Sequence, residues 1–106
     1  MVDARGLLWI QTDASASKIG QGDYARLGHN QMLCADPASS EVRRFLTGPA
    51  GCEITGAVMA PDGCTLFVNV QHPGEGAASG WPDGPGTRPR SATVAIRRRD
   101  GGVVGS

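Results

Sequence analysis

Glu53 and His72 are the two residues best placed to act together. They bracket two strand-like runs, Ile54–Ala60 and Thr65–Gln71, joined by Pro61-Asp62-Gly63. Asp-Gly between apolar runs favours a tight hairpin, because both residues tolerate φ > 0. With Asp62 and Gly63 at the two central turn positions, residue 61 faces residue 64. Counting back along the strands, Glu53 then faces His72. A carboxylate and an imidazole share the hairpin's mouth, while apolar side chains fill its middle. Carboxylate oxygens suit hard cations such as Ca²⁺, and imidazole leans toward transition metals. Asp13 offers a second carboxylate. Asn69, Gln71 and Glu75 lie near enough in sequence to add oxygen ligands or to support one.

The elements that must position these groups are short strands. Residues 7–12, 31–35, 41–46 and 92–97 read as strands from their aliphatic, aromatic and β-branched content. Val42 and Leu46 are expected on one face of the third run, with Phe45 on the other. In the hairpin, Ile54, Val58, Leu66, Val68 and Val70 are the expected core. Between the strands lie two long loops, residues 13–30 and 73–90. The second is dense in the Gly and Pro that punctuate strands. Tyr24–Leu27 is the only helical stretch, too short to stand alone. The fold class is therefore all-β.

A repeat gives these strands an architecture. Trp9-Ile10-Gln11 precedes Asp13, a long loop, a strand and an Asp-led turn. Asn69-Val70-Gln71 precedes His72, a long loop, a strand and a turn at Asp100. Such repeats are typical of β-propellers, whose blades are four-stranded antiparallel sheets. With strands labelled A to D from the inside out, residues 7–46 supply B, C and D of one blade. Residues 53–106 supply A, B, C and the start of D of the next. Residues 1–106 thus read as antiparallel strands forming two incomplete blades, a partial propeller. The starts of A strands and the ends of B strands fall on one rim, which gathers Asp13, Glu53 and His72.

Several functions are excluded. The formal net charge is zero, and Arg97-Arg98-Arg99 is the one basic run, so a nucleic-acid partner is not expected. Three cysteines without a CxxC pair build neither a zinc knuckle nor a complete disulfide framework, although a single disulfide stays open. No apolar run approaches the ~20 residues of a membrane span. The start, MVDARGLLWI, lacks the features of a secretory signal. Gly20-Gln21-Gly22 and Gly84-Pro85-Gly86 open no helix and are not phosphate loops. No Ser or Cys sits in an elbow with a matched base, so no catalytic residue is assigned. Trp9 and Trp81 read as packing residues between blades.

The strings NQMLCADP, EVRRFLTGP and GCEITG, then APDGCTLFVNVQHPGE, WPDG and RPRSATVAI, resemble the C-terminal part of the PhoX-type alkaline phosphatases. The resemblance runs from Gly6 to Gly102. It implies a Tat-exported, periplasmic or secreted bacterial propeller that hydrolyses phosphomonoesters with a cluster of calcium and iron. It implies that Glu53, in Gly-Cys-Glu, is a metal-binding glutamate. The adjacent Cys52 points away from Glu53 by strand alternation and is not expected to ligate. The sequence departs from the family pattern after Asp13, where Ala-Ser-Ala-Ser follows, and at His29 before Asn30. Glu53 and Asp13 are thus the expected metal ligands. His72, Asn69, Gln71 and Glu75 are their supports or substrate contacts, and Arg88 and Arg90 are candidates for bidentate contact with a phosphate. The chain alone is expected to be inactive and to self-associate or fold poorly. The rival class is a non-catalytic binding or structural propeller module.

Overall fold

A computed structural model describes residues 1–106. It contains two antiparallel three-stranded sheets and one short helical turn, consistent with incomplete propeller blades. The first sheet has the order β1-β2-β3, with β1 Leu8–Gln11, β2 Gln31–Asp36 and β3 Glu41–Thr47. The second has the order β4-β5-β6, with β4 Glu53–Met59, β5 Leu66–Gln71 and β6 Ala92–Ile96. The helical turn α1 is Tyr24–Leu27 and buries nothing.

The sheets meet on one face each. Trp9 and Met32 from the first sheet pack with Ile54, Leu66, Val68 and Val70 from the second, and Cys52 and Val104 join them. The strict alternation of β5 explains its half of this core: Leu66, Val68 and Val70 face in, while Phe67, Asn69 and Gln71 face out. Each such buried aliphatic contributes about 1.5–3 kcal/mol relative to exposure. Trp9 meets Phe45 edge-on, with ring centroids 4.9 Å apart.

Two bulges alter the expected faces. In β3 the pairing slips between Met32↔Leu46 and Leu33↔Arg44, leaving Phe45 as the extra residue. Phe45 and Leu46 therefore both pack against the core, and Val42 stays 60% exposed. The expected sharing of one face by Val42 and Leu46 is corrected accordingly. In β4 the slip falls between Thr55 and Val58, where Gly56 takes φ +54°. The extra residue inverts the inward phase beyond it. Ala57 and Met59 turn toward the core, and Val58, expected to be buried, is 61% exposed.

The hairpin turn also differs from expectation. Ala60 accepts from the Gly63 amide at 2.9 Å, so Pro61 and Asp62 are the central turn residues. Gly63 follows at φ +71°, and the Ala60 amide donates to Thr65 O at 2.8 Å, closing the loop over residues 61–64. Near the turn Met59 pairs with Leu66 as counted from the sequence, but past Gly56 the register moves by one. Glu53 therefore pairs with Gln71 rather than His72. At the chain's end, residues 103–106 make a turn where a further strand was expected to begin. There Val104 is 1% exposed and its amide donates to Gly63 O at 2.9 Å. No helix is long and apolar enough to cross a membrane, and all three cysteines are free thiols.

Candidate functional site

Both long loops leave the same end of the molecule, and β4 begins there. The three segments enclose a pocket of about 340 Å³ whose polar lining includes Asp13, His29, Asn30, Glu53, His72 and Glu75. Antiparallel order is the reason: β1 and β5 run toward this end, β4 runs away from it. Close backbone approach seals the rim. Gly51, at φ +73°, lies so near the Glu75 backbone that an added Cβ would sit 2.7 Å from its nitrogen. The Gly74 amide donates to Ala50 O at 2.8 Å beside it.

His72 is the hub of the acidic groups. Its ring lies between two carboxylates, with Nε2 3.1 Å from Glu53 Oε1 and Nδ1 2.7 Å from Glu75 Oε2. The Nδ1 contact is out of line with the ring N–H, so it is electrostatic more than a directed hydrogen bond. Burial of the ring opposes its charge, but the Glu53 and Glu75 carboxylates outweigh this and hold the imidazole above the ordinary histidine value. His72 also takes φ +35°, uncommon for a residue with a side chain, and its amide donates to Ser91 Oγ at 2.9 Å. That bond closes the base of the 73–90 loop. Because Glu53 and Glu75 sit on different ring nitrogens, the three groups do not converge on one point. No three His, Cys, Asp or Glu side chains are grouped to hold a metal by themselves.

Of the residues singled out from sequence, Asp13, Glu53, His72 and Glu75 line this pocket. Asn69 and Gln71 do not. They face outward beside Thr93 and Ser91, and Asn69 Oδ1 accepts from Thr93 Oγ1 at 2.7 Å. Arg90 is engaged in the loop itself, bidentate to Asp83 at 2.8 and 3.0 Å. Arg88 is exposed outside the pocket. Cys52 faces the core, 2% exposed, and burial pushes its thiol up to about 11, which keeps it protonated and inert.

A sequence model of the family described as "Alkaline phosphatase PhoX" matches residues 1–74. The chain belongs to the PhoX family. The structure of Pseudomonas fluorescens PhoX in complex with vanadate, a transition state analogue, is 53% identical to it, with a TM-score of 0.89. That alignment covers 98% of this chain and 18% of that PhoX chain. The chain therefore spans under a fifth of the length of its relative. No curated protein matches it.

Two residues that shape this PhoX pocket were not among the site residues expected from the sequence. Asn30 is 3% exposed and its amide forms part of the floor. Ser91 ties His72 from across the loop. An Asn after a glycine-rich loop reads as turn material, and a Ser before a strand reads as solvated. Their partners are distant in sequence, so only the fold assembles them.

Proposed function

We propose that this chain is a segment of a PhoX-type phosphomonoesterase, that it contributes part of the metal and substrate rim, and that it does not turn over substrate alone. The observation that carries the reading is the meeting of Asp13, Glu53, His72 and Glu75 in one pocket of a PhoX-family chain. The pocket's charge supports it. Three carboxylates stand against two histidines, and both Arg88 and Arg90 lie elsewhere, so a phosphate dianion would be repelled unless cations preceded it.

The donor set fits calcium in part. Glu53 and Asp13 would each supply carboxylate oxygens, the ligands that a hard cation takes, but calcium needs about 6–8 of them. The remaining ligands would come from outside these residues. Iron finds no fit here: the Cys52 thiol packs into the core, where burial keeps it protonated, and His72 Nε2 faces Glu53 Oε1 at 3.1 Å. Bound calcium would polarise a phosphate oxygen and offset leaving-group charge. What this chain's own residues do is hold and aim. Glu53 Oε1 pairs with His72 Nε2 at 3.1 Å, and His72 is in turn tied through its backbone amide to Ser91 Oγ. This arrangement, with the bulge at Gly56 setting where β4 starts, is the contribution we assign to the segment.

The test is hydrolysis of p-nitrophenyl phosphate by the 106-residue chain and by Glu53→Gln, with calcium and iron supplied, alongside metal content. Negligible turnover by both is expected. Robust turnover that survives Glu53→Gln would overturn both the segment reading and the Glu53 assignment. A folded chain that takes up no calcium at millimolar concentration would favour the non-catalytic module.

A further inference from the structure

Asn30 makes every hydrogen bond its amide can make. Its Oδ1 accepts from the Ala14 amide at 2.7 Å and from Thr12 Oγ1 at 3.1 Å. Its Nδ2 donates to Ala14 O and to Cys52 O, both at 3.0 Å. An Asn side chain has two acceptor lone pairs and two donor hydrogens, so nothing remains for a ligand. The amide's orientation is dictated by its partners, because an N–H must meet the oxygen and two carbonyls must meet the NH₂. Thr12 extends the chain of bonds: its hydroxyl also accepts from the Gln31 amide at 2.9 Å. On the other side the Asn30 carbonyl accepts from the Gly48 amide at 2.8 Å. An added Cβ at Gly48 would run into Cys52 Sγ and lie 2.8 Å from Ile54 Cδ1, so glycine there admits the close packing around Asn30.

The partners are telling. Ala14 follows Asp13, and Cys52 precedes Glu53. One buried amide thus holds, by backbone atoms, the immediate neighbours of the two carboxylates, Asp13 just past β1 of the first sheet and Glu53 at the start of β4 of the second. No other side chain bonds both segments. We infer that Asn30 is a positioning residue that sets the relation of Asp13 to Glu53, and so the affinity of the pocket for a divalent cation. This rests on the reading of Asp13 and Glu53 as metal-rim carboxylates. Outer supports of this kind typically carry a 10–100-fold effect on metal affinity.

The experiment is NMR on the isotopically labelled full chain, on Asn30→Ala and on Asn30→Asp. It records amide exchange, nuclear Overhauser contacts between residues 14 and 52, and the side-chain carboxyl carbons of Asp13 and Glu53 during titration with calcium chloride. In the unmodified chain the Ala14 amide should exchange slowly and both carboxyl carbons should respond with one midpoint. In Asn30→Ala the Ala14 amide should exchange freely and the 14–52 contacts should vanish. The calcium midpoint should rise about tenfold, with Val68 and Val70 amides still protected. Asn30→Asp keeps the acceptor but loses both donors. It should retain slow exchange at Ala14 and lose the 14–52 contacts, which separates the staple from simple loss of bulk. Should Asn30→Ala unfold, Asn30→Asp carries the test. Persistence of the 14–52 contacts in both variants would overturn the inference, and so would their loss with an unchanged calcium midpoint. If the unmodified chain's carboxyl carbons do not respond to calcium, the rim reading fails and the affinity role falls with it. The exchange and contact data then still decide whether Asn30 joins the two segments.

Discussion

Asp3 is the residue whose removal should cost the fold most per atom changed. Its side chain is only 3% exposed, yet it carries a carboxylate. It accepts from the Arg5 amide at 2.9 Å, the Leu7 amide at 3.1 Å, the Trp9 indole Nε1 at 3.1 Å and Arg5 Nη2 at 2.7 Å. Arg5 Nη2 in turn donates to Val104 O at 2.7 Å, so the Asp3 cluster joins the first residues to the buried end of the chain. Burial works against this charge, but the bonds from Trp9, Arg5 and Leu7 outweigh it and hold the carboxyl below its ordinary value.

Asp3→Asn keeps the shape and one acceptor oxygen, which can still take the Arg5 and Leu7 amides. The second oxygen becomes an NH₂ that faces two donors. The half-exposed Arg5 contact is worth little, about 0–1 kcal/mol. The charge-assisted bond from the buried Trp9 indole is worth about 1.5–3 kcal/mol, and leaving that N–H unpaired is the main penalty. Together these predict a loss of about 3 kcal/mol. Urea unfolding followed by tryptophan fluorescence checks it. At an m-value of ~1.5 kcal/mol/M the midpoint should fall by about 2 M. The pH dependence gives a second check. A carboxyl depressed in the folded state contributes stability that is fully present above its unfolded value, 3.8, and is lost as pH falls through the folded value. The gap between the two proteins should therefore be constant near neutrality and narrow below about pH 4. A loss under about 1 kcal/mol at pH 7, or a gap that does not narrow in acid, would refute the account of Asp3 as a buried, charged acceptor.

Gly51→Ala should disturb the pocket more than the core, because φ +73° and the Glu75 backbone both oppose a Cβ. Chemical shifts at Glu75 and His72 should move while those of Val68 stay. Val68→Ala should cost about 2 kcal/mol by removing buried methyls, whereas Val58→Thr should stay within about 0.5 kcal/mol; paired urea curves compare them. The outward faces of both sheets carry exposed apolar side chains, Leu8, Ile10 and Val42 on one and Val58 and Phe67 on the other. The chain should therefore self-associate through them. Sedimentation velocity should show this association reduced by Val42→Lys with Phe67→Lys, and a monomeric unmodified chain at all concentrations would count against it.

The strands were legible in the sequence because each is short, β-rich and punctuated by Gly, Pro or Asp. β5 was legible in full, since its alternation is unbroken. What pattern alone could not give was the two bulges. A bulge costs one residue of register and leaves no mark on apolar alternation except the presence of a residue such as Gly56, which reads equally well as a weak strand position. Yet the bulge in β4 matters to the site. By pairing Glu53 with Gln71 it leaves His72 one position past the end of the ladder, free of strand geometry. There the backbone adopts φ +35° and the amide turns to Ser91. From that position the imidazole reaches Glu53 with one nitrogen and Glu75 with the other, a geometry a directly paired histidine would not be required to adopt. The meeting of Glu53 and His72 follows from the antiparallel order of β4 and β5. The orientation of Glu53 depends further on the bulge, on Ser91 and on the Asn30 network, all of them contacts between residues that chain order keeps apart.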